Sequence, residues 1–305
     1  MRRIVLYFFL LGILSVPAQL TSAESNQSKL NVLSSIKPVQ LIVNAIGGEY
    51  VDSNLLIPAY ITPHDYTFKP SDIRKIQKAD LVFRIDEHFE TMLNTAFESL
   101  ADDSKVVSLA ENPMIKLLPT SGGHDHGSTE HDHVDMHIYT SPQNALIMAQ
   151  EITDKLIKAD VKNTAVYRGN LSAFEKTIHN EIDAIRSKLK PVKEKPFIVF
   201  HNSWQYFIEY FGLNKPTVIE LHEGVSTGVK SSIAIRKEIS SKGITCIFSE
   251  PTISAKKINR MTENFAMKII EVDVLGQKNT RDGDSYIRWF RAMGEQVKRC
   301  LASNK

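Results

Sequence analysis

The sequence lacks an excess of charge of either sign. Its 305 residues include 37 lysines and arginines against 35 aspartates and glutamates, which gives a formal net charge of +2. The basic and acidic side chains are interspersed along the chain. Binding of nucleic acid or of an anionic membrane surface usually requires clustered lysine and arginine. The composition therefore argues against both kinds of partner.

Long apolar runs are also scarce. One run, Ile4 to Val16, follows Arg2 and Arg3 and precedes small residues that end at Ala23. It is shorter than the roughly 20 residues of a membrane-spanning helix, and the order of segments is typical of a secretory signal peptide. We predict that residues 1–23 are removed; an uncleaved anchor is the alternative. No cysteine follows the run, so we expect no lipid anchor and a destination in the free periplasm.

Cysteine is nearly absent, since Cys246 and Cys300 are the only two. In an oxidising compartment an even number of cysteines indicates a disulfide. Two buried free thiols are the alternative, because the sequence cannot show whether the two Cα atoms lie within bonding distance.

The regular structure is expected to alternate between strands and helices. From Leu30 onward, short β-branched runs alternate with amphipathic stretches, which is typical of βα units on a parallel sheet. The fold class is therefore α/β, with two similar βα lobes and mostly parallel four-stranded sheets. The predicted strands cover residues 31–36, 54–57, 81–85, 105–109, 197–200, 217–221, 245–248 and 268–272. In the first half, the predicted helices cover residues 39–46, 71–78, 87–100 and 141–158.

A long amphipathic segment separates the two lobes. Its apolar residues recur at steps of three and four, which predicts one buried helix face; they are Leu171, Phe174, Ile178, Ile182, Ile185 and Leu189. A helix over residues 164–190 would be roughly 40 Å long and would act as a rigid strut. We therefore predict an N-terminal lobe over 24–163, this linking helix, and a C-terminal lobe over 191–305.

Residues 120–135 form a low-complexity segment rich in glycine, histidine and acidic residues, and we predict a mobile loop there. Its histidines are possible auxiliary metal ligands; they are His124, His126, His131 and His133. A solvated spacer without a role is the alternative.

Three further histidines lie at or just past the carboxyl ends of predicted strands, where open α/β sheets place their ligand sites. They are His64, His137 and His201, and Asp273 follows the last predicted strand as a fourth candidate. One such histidine is more often structural, but three in equivalent positions favour a metal site. Imidazoles with one carboxylate suit tetrahedral zinc, whereas magnesium and calcium require mostly oxygen ligands.

Motifs around these residues are similar to those of the zinc-binding receptors of bacterial ATP-binding-cassette (ABC) importers, the ZnuA-like proteins. The matching stretches are His64-Asp65-Tyr66, Lys69-Pro70-Ser71-Asp72, Ala79-Asp80-Leu81-Val82, Met136-His137-Ile138 with Ser141-Pro142, Val199-Phe200-His201, Phe248-Ser249-Glu250-Pro251, and Asp273 with Leu275-Gly276. The resemblance covers nearly the whole chain after the leader.

The resemblance implies a periplasmic, monomeric protein that performs no bond chemistry. It implies that His64, His137 and His201 hold Zn²⁺ in the cleft between two lobes joined by a rigid helix. It also implies delivery of the zinc to an inner-membrane ABC permease with a cytoplasmic ATPase. Finally, it pairs Cys246 with Cys300 as a disulfide.

The sequence also offers alternatives for the metal and for the function. Manganese-binding relatives present a carboxylate where this chain has His201, so imidazole at that position favours zinc over manganese or iron. Pro63 stands where some zinc receptors carry an acidic residue, which leaves the fourth coordination position to Asp273 or water. His222, beside two glutamates, is either a supporting residue or an alternative ligand. A zinc hydrolase and a metal buffer or adhesin are the functional alternatives.

Overall fold

The computed structural model describes residues 29–98, 100, 104–120, 134–219, 229–251, 253–278 and 285–302. In its N-terminal lobe, four parallel strands form a sheet of order β2-β1-β3-β4. These strands are β1 Leu30–Ser34, β2 Val51–Leu55, β3 Leu81–Arg84 and β4 Val106–Ser108. A short antiparallel pair, β5 Leu118–Pro119 with β6 Val134–Asp135, flanks the histidine-rich segment and was not predicted.

The C-terminal lobe repeats the parallel arrangement, with strand order β10-β9-β7-β8. Its strands are β7 Ile198–Val199, β8 Thr217–Val218, β9 Cys246–Ser249 and β10 Lys268–Glu271. The predicted α/β class with two four-stranded parallel sheets is therefore confirmed.

Helices connect the strands in both lobes. The α-helices are α1 Lys37–Gly47, α2 Pro70–Lys78, α3 Asn94–Glu98, α4 Pro142–Ala159, α5 Thr164–Leu189, α6 Gln205–Phe211, α7 Val229–Lys242, α8 Ala255–Thr262 and α9 Tyr286–Leu301. Short 3-10 helices cover Gly48–Tyr50, Pro63–Asp65, Thr91–Leu93, Leu109–Glu111, Ile138–Thr140 and Val161–Asn163. Within the described ranges, no helix is long and apolar enough to span a lipid bilayer.

Helix α5 is the predicted strut, and it ends one residue earlier than expected. Helix α9 packs along it so closely that a Cβ atom on Gly294 would lie 2.9 Å from Ile185 Cγ1. An ion pair joins the same two helices, since Arg291 Nε lies 2.7 Å from Oε2 of the buried Glu181. The connection between the lobes is therefore a packed pair of helices.

The hydrophobic core continues from one lobe into the other. One cluster of buried side chains includes strands of the N-terminal sheet, helices α5 and α9, and one face of the C-terminal sheet. Alternation along β7 assigns Val199 to this cluster and Ile198 to a smaller cluster on the opposite face of the sheet. Because the large cluster is shared, we expect small adjustments between the lobes rather than wide opening.

The predicted helix over residues 87–100 is wrong in its first half. The backbone amides of Ile85 and Asp86 donate to the Glu90 carboxylate at 3.1 and 3.0 Å. This carboxylate holds the chain in a loop after β3, so α3 begins only at Asn94. Helical propensity is a weak preference, and these local hydrogen bonds, with the contact of the same carboxylate to Ser35, override it.

Candidate metal site between the lobes

The first predicted ligand, His64, lies in a 3-10 turn that follows β2. Pro63 begins this turn, and the His64 amide donates to Thr62 Oγ1 at 3.4 Å. Just after it, Tyr66 donates its hydroxyl to Asp72 Oδ2 at 2.6 Å, near the start of α2. Burial and this hydrogen bond raise the pKa of the Tyr66 phenol, which stays protonated. The turn is thus fixed to α2, while the His64 side chain remains exposed.

The second predicted ligand, His137, is oriented by Asp135, which ends β6. Asp135 Oδ1 lies 2.7 Å from His137 Nδ1 and accepts the His137 backbone amide at 2.9 Å. A carboxylate on Nδ1 fixes the tautomer in which Nδ1 carries the proton and Nε2 the lone pair that a metal requires, and it makes the imidazole more basic. The other carboxylate oxygen of Asp135 is buried and has no hydrogen-bond partner among the described residues. A nearby cation would offset the cost of burying this charge.

The third predicted ligand, His201, comes from the C-terminal lobe, two residues past β7. Its Nδ1 lies 4.0 Å from Glu250 Oε1, and Ser203 Oγ donates to the same oxygen at 2.7 Å. Glu250 follows β9, the strand next to β7, and is buried. A carboxylate therefore lies beside each of two candidate histidine ligands, Asp135 from the end of β6 and Glu250 from the residue after β9.

The three histidine rings converge from the two lobes. The ring centroids of His137 and His201 are 5.1 Å apart. Those of His64 lie 6.0 Å from His137 and 6.4 Å from His201. Two imidazoles on one tetrahedral zinc, each with a Zn–N bond of about 2.0–2.1 Å, have centroids about 5 Å apart. One pair already has that separation, and His64 must move inward by about 1 Å.

The separations that involve His64 are wider than those of imidazoles bound to one zinc. Across the described ranges, no group of three or more His, Cys, Asp or Glu side chains is arranged so that it could hold a metal. The residue types fit zinc, and the His137–His201 separation fits two ligands of one zinc ion.

Phe89 forms an apolar wall of the site. Its ring centroid lies 5.4 Å from that of His64 and 5.3 Å from that of His137, both edge-on. The buried Glu90 supports this wall, because its carboxylate also accepts the Ser35 hydroxyl at 2.5 Å. Burial raises the pKa of the Glu90 carboxyl to about 7 despite these hydrogen bonds.

The raised pKa of Glu90 predicts a specific pH dependence of stability. The folded chain holds a proton up to about pH 7, whereas the unfolded carboxyl releases it near 4.5. Glu90 therefore stabilises the fold most below pH 4.5, and that contribution falls as the pH rises toward 7. Between pH 5 and 7 we expect wild type to lose about 2 kcal/mol more unfolding free energy than Glu90→Gln.

Urea unfolding of the metal-free protein at both pH values measures this difference. The control is Glu87→Gln, which changes an exposed carboxylate in the same loop and should keep the wild-type slope. Equal slopes for wild type and Glu90→Gln would mean that Glu90 titrates normally.

Removal of the Asp135 carboxylate tests its effect on His137. We expect Asp135→Ala to weaken zinc binding by about 10- to 100-fold, because the ring loses its hydrogen bond and the site loses a negative charge. Competition with a chromophoric chelator measures the change. Asp183→Ala, on the exposed side of α5, should bind like wild type, and an unaltered affinity of Asp135→Ala would exclude this role.

Asp273 lies where the sequence predicts, past the carboxyl end of β10. Its carboxylate oxygens accept the backbone amides of Gln277 and Lys278, both at 2.8 Å, and its carbonyl accepts from Trp289 Nε1 at 2.6 Å. The carboxylate thus stabilises its own loop. Each oxygen keeps a second lone pair with which it can bind a metal. That Asp273 is the fourth zinc ligand stays a prediction.

Of the remaining predicted features, the disulfide is confirmed and the others fall on residues that the structure does not describe. The disulfide between Cys246 and Cys300 is present, with Cα atoms 5.6 Å apart. The predicted signal peptide over residues 1–23 lies outside the described residues. The same is true of His222 and of the candidate auxiliary ligands His124, His126, His131 and His133.

Sequence reasoning missed the residues that support the histidines. Asp135 stands two positions before His137, a spacing that allows its carboxylate to reach the same ring. Glu250 directly follows β9, the strand next to β7. A position just past the end of a strand is the same signal that identified the candidate ligands. Phe89 carried no signal, because its position depends on the loop that replaced the first half of a predicted helix.

Comparisons with known proteins identify the family of this chain. The family model described as zinc-uptake complex component A, periplasmic, matches residues 32–300. The high-affinity zinc uptake system protein ZnuA of Haemophilus influenzae is 28% identical, covering 96% of this chain and 99% of the relative. The corresponding Brucella suis protein is 30% identical, covering 89% and 91%.

Solved structures share the fold. A ZnuA deletion mutant crystallised with zinc bound superposes with a TM-score of 0.79 at 23% sequence identity, over 91% of this chain and all of the other. Because the family model matches far more than half of the sequence, this chain belongs to the family of periplasmic zinc-uptake components, which are the substrate-binding parts of ABC importers and not enzymes.

Proposed function

We propose that the protein captures one Zn²⁺ ion between its lobes with His64, His137 and His201, and delivers it to an inner-membrane ABC permease. The observation that carries this proposal is the convergence of three imidazole rings from both lobes, with centroids 5.1 to 6.4 Å apart. Asp273 or water completes the coordination. The histidines at positions 124, 126, 131 and 133 act as auxiliary ligands.

The support for zinc over manganese or iron is the type of ligand. Three neutral imidazoles suit zinc, whereas manganese prefers carboxylate and water oxygen. The carboxylates of Asp135 and Glu250 lie behind the rings of His137 and His201. In that position they increase the basicity of the imidazoles without supplying hard oxygen ligands to the ion.

Capture requires little movement. His137 and His201 are mostly buried, at 12% and 14% side-chain exposure, whereas His64 is exposed at the edge of the site. The ion first meets His64, and inward movement of that turn by about 1 Å completes the three-nitrogen site. The shared core and the α5–α9 pair limit the lobes to small displacements.

Delivery follows from membership of an uptake system. The protein is secreted with removal of residues 1–23 and acts as a monomer whose lobes cover residues 24–163 and 191–305. A permease with a cytoplasmic ATPase receives the zinc, and docking of the permease reopens the site by displacing the two lobes.

Uptake into proteoliposomes that hold the permease and its ATPase tests this function. Protein loaded with radioactive zinc should support ATP-dependent uptake, while the same total zinc without protein should not. Equal uptake with and without the protein would show that it only stores zinc.

A further inference from the structure

Tyr206 of helix α6, in the C-terminal lobe, reaches across to the N-terminal lobe. Its hydroxyl donates to the backbone carbonyl of Asp135 and accepts the backbone amide of Leu118 at 3.0 Å. Leu118 and Asp135 are paired residues of β5 and β6. One phenol therefore ties together the two strands of this pair at the residue that orients His137.

The Tyr206 side chain is buried, which restricts the movement of its hydroxyl. It is 2% exposed, and burial raises the pKa of its phenol, so the hydroxyl remains a donor. A buried hydroxyl that donates and accepts at once restricts both partners in angle as well as distance. The Asp135 backbone is consequently held from the opposite lobe.

The contact extends along α6. Gln205 Nε2 donates to the Pro119 carbonyl at 2.9 Å, and Glu209 forms an ion pair with Lys116. The side chains of Lys116 and Glu209 are about half exposed, so their ion pair contributes little to stability. Of the three contacts, only that of Tyr206 reaches Asp135.

We propose that Tyr206 is a positioning residue, which aligns the His137 ring for metal by fixing Asp135 from the other lobe. The chain of contacts is Tyr206 hydroxyl to Asp135 carbonyl, then Asp135 carboxylate to His137 Nδ1. The relative position of the lobes thereby sets the orientation of an N-terminal ligand, so displacement of the lobes by the permease loosens His137. This inference rests on the proposed function, because it takes His137 as a zinc ligand.

Two measurements on Tyr206→Phe test the proposal, and the first needs no metal. The ¹⁵N spectrum of the His137 ring in the metal-free wild type should show a single tautomer protonated at Nδ1. In Tyr206→Phe we expect a mixture of tautomers. Tyr210→Phe, one turn along α6, removes a hydroxyl without touching β5 or β6 and should keep the wild-type spectrum.

The second measurement is a double-mutant cycle on the zinc dissociation constant. We expect Tyr206→Phe to raise this constant about 5- to 10-fold in wild type. In the Asp135→Ala background, Tyr206→Phe should change the dissociation constant less than about 2-fold, because the carboxylate that links Tyr206 to His137 is missing. Gln205→Ala, which removes the neighbouring contact between the lobes, should have an effect below 2-fold in either background.

The outcomes separate the inference from the proposed function. An unchanged His137 spectrum in Tyr206→Phe, or equal effects in both backgrounds, would overturn the positioning role. If wild type fails to bind zinc through His137 while the spectrum still responds to Tyr206→Phe, the proposed function fails and the alignment by Tyr206 stands.

Discussion

Replacement of His201 by alanine is expected to raise the zinc dissociation constant by at least about 100-fold. Zinc sites with four protein ligands have apparent binding free energies of about 10–16 kcal/mol, or about 3 kcal/mol for each ligand. His201 is the only one of the three predicted histidine ligands from the C-terminal lobe. Its loss therefore leaves Asp273 as the one candidate ligand from that lobe.

A chelator competition titration measures the change, and His179→Ala provides the control. His179 lies on the exposed side of α5 and should bind zinc like wild type when replaced. Retention of tight binding by His201→Ala would move the site away from the strand ends.

Removal of the disulfide is expected to produce the largest loss of stability. Cys246 and Cys300 are separated by 54 residues, and closing a loop of that length stabilises a fold by about 4 kcal/mol in the chain-entropy account. The bond joins β9 to α9, which also donates to the Asp273 carbonyl through Trp289. Replacement of both cysteines by alanine should lower the unfolding free energy by about 3 to 4 kcal/mol.

Urea unfolding of the metal-free variant measures this loss. Reduced wild-type protein should behave like the double variant, and zinc affinity in the absence of urea should change less than about 3-fold, since neither sulfur is a candidate ligand. Equal stability of the oxidised and reduced proteins would show that the unfolded chain is not restricted by the bond.

The sequence predicts the architecture well because local patterns determine it. Alternating β-branched runs and helices predict two parallel sheets, and the apolar steps from Leu171 to Leu189 predict the strut. The carboxyl ends of parallel strands share one edge of a sheet, so the positions of His64 and His201 after such strands follow from the sequence. His137 instead follows β6 of the antiparallel pair, which the sequence did not predict. The limits of the two lobes remain predictions, since the shared core gives no sharp boundary between them.

What the sequence could not supply depends on contacts between distant segments. The loop before α3 forms because the Glu90 carboxylate binds the Ser35 hydroxyl, 55 residues away, as well as two amides just after β3, and no local pattern indicates the contact with Ser35. The pair β5–β6 has two residues in each strand, too few for any periodicity. No sequence pattern singles out Tyr206, because the residue that its hydroxyl contacts, Asp135, lies 71 positions away in the chain.

Zinc capture between the lobes is tested by the metal content of a variant whose residues 121–133 are replaced by a short Gly-Ser linker. The variant is loaded anaerobically from equal concentrations of Zn²⁺, Mn²⁺ and Fe²⁺, dialysed, and analysed by mass spectrometry. We expect one zinc per chain and almost no manganese or iron, because the site between the lobes remains intact. Retained manganese or iron, or no bound metal, would contradict zinc capture by His64, His137 and His201.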